Sequence, residues 1–230
     1  MPEKFTYLLV DLMCIICPLA FSFHPKVNFY KQWRGFFASY FATSLFFIIW
    51  DILFTRAGIW SFNPRYTMGI DLLGLPIEEY LFFLCVPYAC VFTYYLITIF
   101  FNLSRYAKAA KYITWALILF LTMTALLRLR QLYTSVTFLL LASFLLYVLF
   151  NRRSLLPSFY LAFAFILIPF LVSNGILTGT GLAEPVVRYN NYYNSGIRIL
   201  TIPFEDVFYG MLLILINVTG FDYLTNRYKT

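Results

Sequence analysis

Long apolar runs with almost no charge dominate this sequence and decide what it can fold into. Seven stand out, at residues 5–23, 36–54, 77–100, 112–127, 133–150, 155–172 and 204–221. Each approaches the roughly 20 residues that a helix needs to cross a bilayer. Within lipid every backbone N–H and C=O must find its partner inside the structure, which leaves helices or a closed barrel. The runs are continuous rather than alternating, so they read as helices. The expected fold class is all-α: a polytopic membrane bundle of about seven transmembrane helices. Only 12% of the chain is charged, against roughly 25% in a soluble domain, which excludes a water-soluble fold. The first run has a weak basic flank, Lys4 beside Glu3, and no small-residue cleavage site after it. It reads as a retained span rather than a leader.

The net charge of +7 does not point to nucleic acid, because the basic residues sit between the apolar runs. There they act as topology signals. Lys26, Lys31, Arg34, Arg105, Lys108, Lys111, Arg152, Arg153, Arg227 and Lys229 share one face of a seven-span bundle. The positive-inside tendency puts that face in the cytoplasm, and the expected location is a bacterial inner (cytoplasmic) membrane. The long polar segments 56–76 and 174–203 fall on the other face, where irregular backbone tends to line a cavity. Cys14, Cys17, Cys85 and Cys90 lie inside spans and read as buried, inert thiols. The single histidine, His24, can build neither an imidazole metal cluster nor a Ser-His triad.

The chain also repeats itself. Pro76-Ile77-Glu78-Glu79 opens the third span, and Pro203-Phe204-Glu205-Asp206 opens the seventh. Upstream, Asp51 to Thr55 followed by Gly58 matches Asn174 to Thr178 followed by Gly181. Gly69-Ile70 and Gly196-Ile197 each stand seven residues before their proline. The chain therefore divides into a three-helix unit (1–103), a linker helix (104–131) and a second three-helix unit (132–230). An odd linker keeps the two units parallel. Both acidic pairs are then expected on one face at one depth, as two halves of a composite site, with neither half active alone.

A single Pro-x-Glu is an ordinary helix start, because proline suits the first turn and glutamate offsets the macrodipole. Here each copy carries two consecutive acids, and together they are four of the chain's ten. Acids at the start of a membrane helix beside a cavity-type loop are functional candidates. Carboxyls gathered away from water cannot all ionise cheaply, though the residues do not decide which keeps its proton. A protonated carboxyl beside an ionised one is an acid and a base in one site. Phe82, Phe83, Phe208 and Tyr209 follow near the same helix face. Aromatic faces stabilise a passing cation by about 2 kcal/mol when desolvated. This set suits protonation of an alkene in an apolar substrate.

Other polar groups are candidates for support. Asp51 and Asn174, at matched span ends, serve either the site or helix termination. Arg188 and Arg198 are placed to neutralise the acids, and Tyr189 and Asn190 to make polar contacts. Asp11 is an isolated acid that faces a helix partner. There is no Gly-x-Gly-x-x-Gly, no P-loop and no Asp-x-x-x-Asp pair. A redox-neutral reaction with no metal and no cofactor fits best.

The paired motifs resemble those of the integral membrane, flavin-independent lycopene β-cyclases, which occur as two small subunits or as one fused chain. The likeness covers both units and the linker, and the Asp51–Thr55 and Gly58-Ile59-Trp60 stretches add to it. No counterpart of Trp60-Ser61-Phe62-Asn63 is evident in the second unit. The resemblance implies cyclisation of lycopene ends to β-rings, with Glu78, Glu79, Glu205 and Asp206 as an unordered acid–base set and Trp60 in support. A carboxylic acid protonates the terminal alkene, the internal alkene closes a six-membered ring, and a carboxylate removes a ring proton. The implied partners are lycopene or a related linear carotenoid and membrane lipid. A carotenoid hydratase, another isoprenoid-modifying enzyme and a proton-coupled transporter are the alternatives.

Overall fold

A computed structural model describes residues 3–227, with side chains through residue 225. Seven helices follow in order: α1 (Thr6–Phe21), α2 (Trp33–Arg56), α3 (Ile77–Phe100), α4 (Ala107–Leu127), α5 (Leu132–Asn151), α6 (Leu156–Leu177) and α7 (Phe204–Arg227). All seven are long and apolar enough to cross a membrane, and the fold is an all-α polytopic bundle. Their outer faces present Phe41, Leu45, Leu127, Phe150 and Ile168, as expected where the surrounding solvent is as apolar as leucine. The interior is aromatic, with Phe29, Phe36, Phe47, Phe83, Phe138 and Phe159 buried. Of the basic residues used to assign the faces, Lys229 lies outside the described residues.

Two readings change. Asp51 and Asn174 do not end their helices; α2 runs on to Arg56 and α6 to Leu177. Ser173-Asn174-Gly175 looks like a polar break. The helix continues because its polar groups bond along it: Ser173 Oγ donates to the Pro169 carbonyl at 3.0 Å, and the Thr178 amide donates to the Asn174 carbonyl at 2.9 Å. The thiols also differ from one another. Cys85 and Cys90 are buried, but Cys17 is exposed and Cys14 half-buried on α1.

The two halves interleave. Within each half, the first helix packs on the third: α1 on α3, α5 on α7. The second helix crosses over, so that α2 packs chiefly on α7, and α6 on α3. The polar segments fold into small antiparallel ladders. β2 (Asp71–Leu72) pairs with β3 (Leu75–Pro76), and β5 (Arg198–Ile199) pairs with β6 (Ile202–Pro203). The Ile77 amide donates to the Ile70 carbonyl at 2.8 Å and the Phe204 amide to the Ile197 carbonyl at 2.9 Å, joining each hairpin to the helix after it. β1 (Trp60–Phe62) pairs with β4 (Val187–Tyr189), tying one half to the other.

That last ladder supplies the counterpart that sequence comparison missed. Trp60 faces Tyr189 and Phe62 faces Val187. Trp60 and Val187 stand 127 residues apart, the same offset as Pro76 and Pro203. Val187-Arg188-Tyr189 is thus the backbone equivalent of Trp60-Ser61-Phe62. Side-chain identity does not reveal it because only the pairing is kept.

Candidate active site

The acidic pairs begin α3 and α7. Pro76 is extended, with φ −64° and ψ 150°, and closes its hairpin just before the helix starts. Proline has no N–H to lose at this edge. The first acid of each pair is bound by the hairpin segment. The Met68 amide donates to Glu78 Oε1 at 2.6 Å, and the Ser195 amide donates to Glu205 Oε1 at 2.7 Å. Gly69 (φ 79°) and Gly196 (φ 73°) follow these donors in the left-handed region that only glycine enters freely. Thr134 Oγ1 adds a 2.6 Å bond to Glu205. Glu78 and Glu205 are fully buried and do not line the cavity described next. Their contacts lock hairpin to helix.

The second acids face open space. Glu79 and Asp206 line one cavity of about 450 Å³ between α1, α3, α6 and α7. Asp51, Trp60, Phe82, Asn174, Tyr189 and Tyr209 share its acidic end. Along α3 the lining runs from Glu79 to Thr93, about 20 Å at 1.5 Å per residue. Beyond the acids the wall is apolar, with Val86, Ala89, Ile166, Leu213 and Ile214. The volume and lining are those of a site for an apolar ligand with a few placed polar groups.

The two second acids have different surroundings. Asp206 accepts from Tyr133 Oη at 2.5 Å, Asn174 Nδ2 at 2.9 Å and Tyr189 Oη at 3.0 Å. Glu79 accepts from Tyr7 Oη and from no other side chain or amide among the described residues. Tyr7 and Tyr133 occupy the same place at the start of α1 and α5. Asn174 donates to its acid, whereas its counterpart Asp51 offers none, and Asp51 Oδ2 has no hydrogen-bond partner. Asp11, one turn beyond Tyr7, is 1% exposed, and neither of its oxygens has a partner.

Several expected contributors stand elsewhere. Phe83 packs on Phe47, and Phe208 packs on Phe138 at 4.9 Å between centroids, both off the cavity. Arg188 pairs with Glu184 instead of the acids. Strand alternation explains this: Val187 and Tyr189 line the cavity, so Arg188 between them points away. Hydrogen bonds from Asn63 and Arg188 hold the exposed Glu184 carboxyl below its ordinary range. Arg198 donates to the Thr201 carbonyl and to Asn191 Oδ1, each at 2.8 Å. Asn190 Nδ2 reaches the Gly58 carbonyl at 3.3 Å. Among the described residues, no lysine or arginine nitrogen lies within 4.0 Å of Glu78, Glu79, Glu205 or Asp206. The acids are therefore not neutralised by direct ion pairs.

The cavity itself breaks the repeat. Its wall includes Ser173 and Gly210. Trp50 and Phe83 occupy the matching places in the other half. There, Trp50 and Phe47 each sit 5.3 Å from Tyr209, ring centre to ring centre, and fill the space. A Cβ on Gly210 would meet the Phe170 ring at 3.5 Å. One of two equivalent grooves is open and the other is plugged.

Sequence reasoning missed Tyr7, Tyr133 and Thr134. Carrying the repeat back into the first helix of each unit pairs Tyr7 with Tyr133, and that was the available signal.

The lycopene cyclase family matches over residues 4–97 and 130–224. A bifunctional lycopene cyclase/phytoene synthase from Podospora anserina is 30% identical over 89 residues, covering 39% of this chain. The matched stretch is 14% of that relative's own length. No solved structure matches. The two matched stretches include both acidic pairs, both tyrosines and both hairpins, and by that match the chain belongs to the lycopene cyclase family.

Proposed function

We propose that this chain is a lycopene β-cyclase, an intramolecular lyase or isomerase of carotenoid biosynthesis that closes β-rings on lycopene ends without net redox change. The observation that carries the reading is one largely apolar cavity whose wall includes the carboxyls of both Glu79 and Asp206. Two carboxyls supply both a proton donor and a proton acceptor. Family membership and the Podospora relative's description support the choice of lycopene.

In this reading the apolar arm of the cavity holds part of the polyene, and a ψ-end reaches the acids. A carboxylic acid adds a proton to the terminal alkene and leaves a tertiary cation. Phe82, Trp60 and Tyr209 line that end, and their ring faces stabilise the cation by about 2 kcal/mol or more once water is excluded. The internal alkene attacks and closes the ring. A carboxylate then takes a ring proton, so that one proton enters and one leaves. Glu79 and Asp206 carry the transfers, Asp51, Asn174, Tyr189 and Trp60 support them, and Glu78 and Glu205 position the helices. Residues 1–103 and 132–230 act as the two half-units and 104–131 as the linker. The assigned location is a bacterial cytoplasmic membrane, with the acidic end opposite the basic loops.

Expression in lycopene-making bacteria tests the proposal. γ- or β-carotene is expected from the wild-type chain. Unchanged lycopene with folded protein present overturns it, and an alcohol at the former alkene would favour a hydratase.

A further inference from the structure

Resting on the cyclase reading, we propose that the halves of the site divide the proton work. Glu79, with Asp51 and Asp11 behind it, is the proton donor, and Asp206 is the carboxylate that accepts the ring proton.

The two carboxyls differ in how many of their oxygens are satisfied. A carboxylate that accepts two or three hydrogen bonds is stabilised as the anion. Asp206 accepts three, from Tyr133, Asn174 and Tyr189. Those three donors favour the anion at Asp206 more than the single donor at Glu79 does. Glu79 accepts one, from Tyr7. Asp51 and Asp11 are 3% and 1% exposed, with one and two partnerless oxygens; Asp51 lines the same cavity as Glu79, and Asp11 lies one helical turn from Tyr7, which bonds Glu79. A buried anion without partners is strongly disfavoured, and like charges close together cannot all ionise. This carboxyl group must therefore share at least one proton. Among the described residues no lysine or arginine nitrogen lies within 4.0 Å of Glu79, Asp51 or Asp11.

The asymmetry is written in the repeat. Asp51 has Asn174 as its counterpart, and Asp11 has Thr137. In the second half a donor or a neutral hydroxyl stands where the first half has an acid. Asp51 shares the cavity with Glu79 and Asp206, whereas Asp11 lies off it, behind Tyr7 on α1. Asp11 is accordingly a positioning residue that holds the cluster's proton and charge and does not touch substrate.

A Glu79 O–H bond breaks as a C–H bond forms at the terminal alkene carbon. Two alkene carbons join, and a ring C–H bond breaks as Asp206 gains the proton. No electrons leave or enter the substrate. Glu79 ends as the anion and Asp206 as the acid, and one proton returned through the site resets it.

The test uses the full chain in liposomes with lycopene in D2O, with wild type, E79Q, D206N, Y189F, D11N and D51N compared. Protonation marks the substrate with deuterium even if the ring never forms a β-bond. D206N is expected to place deuterium in recovered lycopene or in rings with a displaced double bond. E79Q is expected to place none. D11N and D51N are expected to yield β-rings only, with kcat lowered about tenfold and KM unchanged, the mark of a group that serves the transition state. Their pH profiles should shift, which a merely structural lesion would not produce. Should D206N be poorly folded, Y189F gives the same readout in milder form, with displaced double bonds among its products. Deuterium uptake by E79Q, or its absence from both D206N and Y189F, overturns the ordering. Wild-type chain that makes no ring at all overturns the cyclase reading instead.

Discussion

The two acidic half-sites descend from one pattern and yet are furnished differently. In the second half Asp206 and Glu205 receive five hydrogen bonds, from Tyr133, Asn174, Tyr189, Thr134 and the Ser195 amide. In the first half Glu79 and Glu78 receive two, from Tyr7 and the Met68 amide. Two further buried acids, Asp11 and Asp51, stand in that first half. The grooves beside them differ in the same way: Ser173 and Gly210 leave one open, while Trp50 and Phe47 close on Tyr209 in the other. The two halves follow one pattern but present unlike surroundings to the cavity that Glu79 and Asp206 share. A symmetric site would put equal carboxylates opposite each other, with no built-in direction for proton flow.

The largest effects are expected at the acids themselves. E79Q is expected to lower β-ring formation at least a hundredfold, the lower range of what a positioned acid contributes. D206N should lower it comparably, and pigment extraction from a lycopene-making host measures both. Next, Gly210→Phe would make the open groove resemble the plugged one. Rate is expected to fall about tenfold or more, with thermal stability in detergent close to wild type. Loss of stability without loss of rate would contradict the role of the groove.

Smaller effects sharpen the contrast. Y189F removes one of three donors from Asp206. A net hydrogen bond to a charged group is about 1.5–3 kcal/mol, so a decline in rate of roughly tenfold or somewhat more is expected in a liposome assay. E78Q and E205Q weaken a contact that ties hairpin to helix. They are expected to lower stability by about 1–3 kcal/mol and to leave the identity of the product unchanged, as read by thermal unfolding and product analysis. The second should be the more damaging, because Glu205 has Thr134 as well as a backbone donor. Arg188→Ala should change turnover less than twofold, since Arg188 pairs with exposed Glu184 and exposed pairs contribute about 0–1 kcal/mol.

Much of this was legible in the residues, for physical reasons. Lipid tolerates few polar groups, so seven helices announced themselves as seven apolar runs. Pro76 and Pro203, each followed by two acids, marked the starts of α3 and α7. The odd linker put both pairs at one end. What failed was local geometry. β1 and β4 are three residues each, too short for any alternation to show. Ser173-Asn174-Gly175 read as a break because side-chain bonding back along the helix leaves no trace in composition. Arg188 and Arg198 looked like partners of the acids because sequence proximity carries no direction, and a strand turns every second side chain away. Tyr7 and Tyr133 hid among 19 tyrosines, visible only once the repeat was carried into α1 and α5.

The decisive measurement of whether Glu79 delivers the proton is pigment analysis of a lycopene-producing bacterium carrying either the wild-type chain or E79Q, at matched levels of membrane-inserted protein. β-ring carotenoids with wild type and unchanged lycopene with E79Q are the results expected. Unchanged lycopene with wild type, or undiminished β-rings with E79Q, would contradict the account.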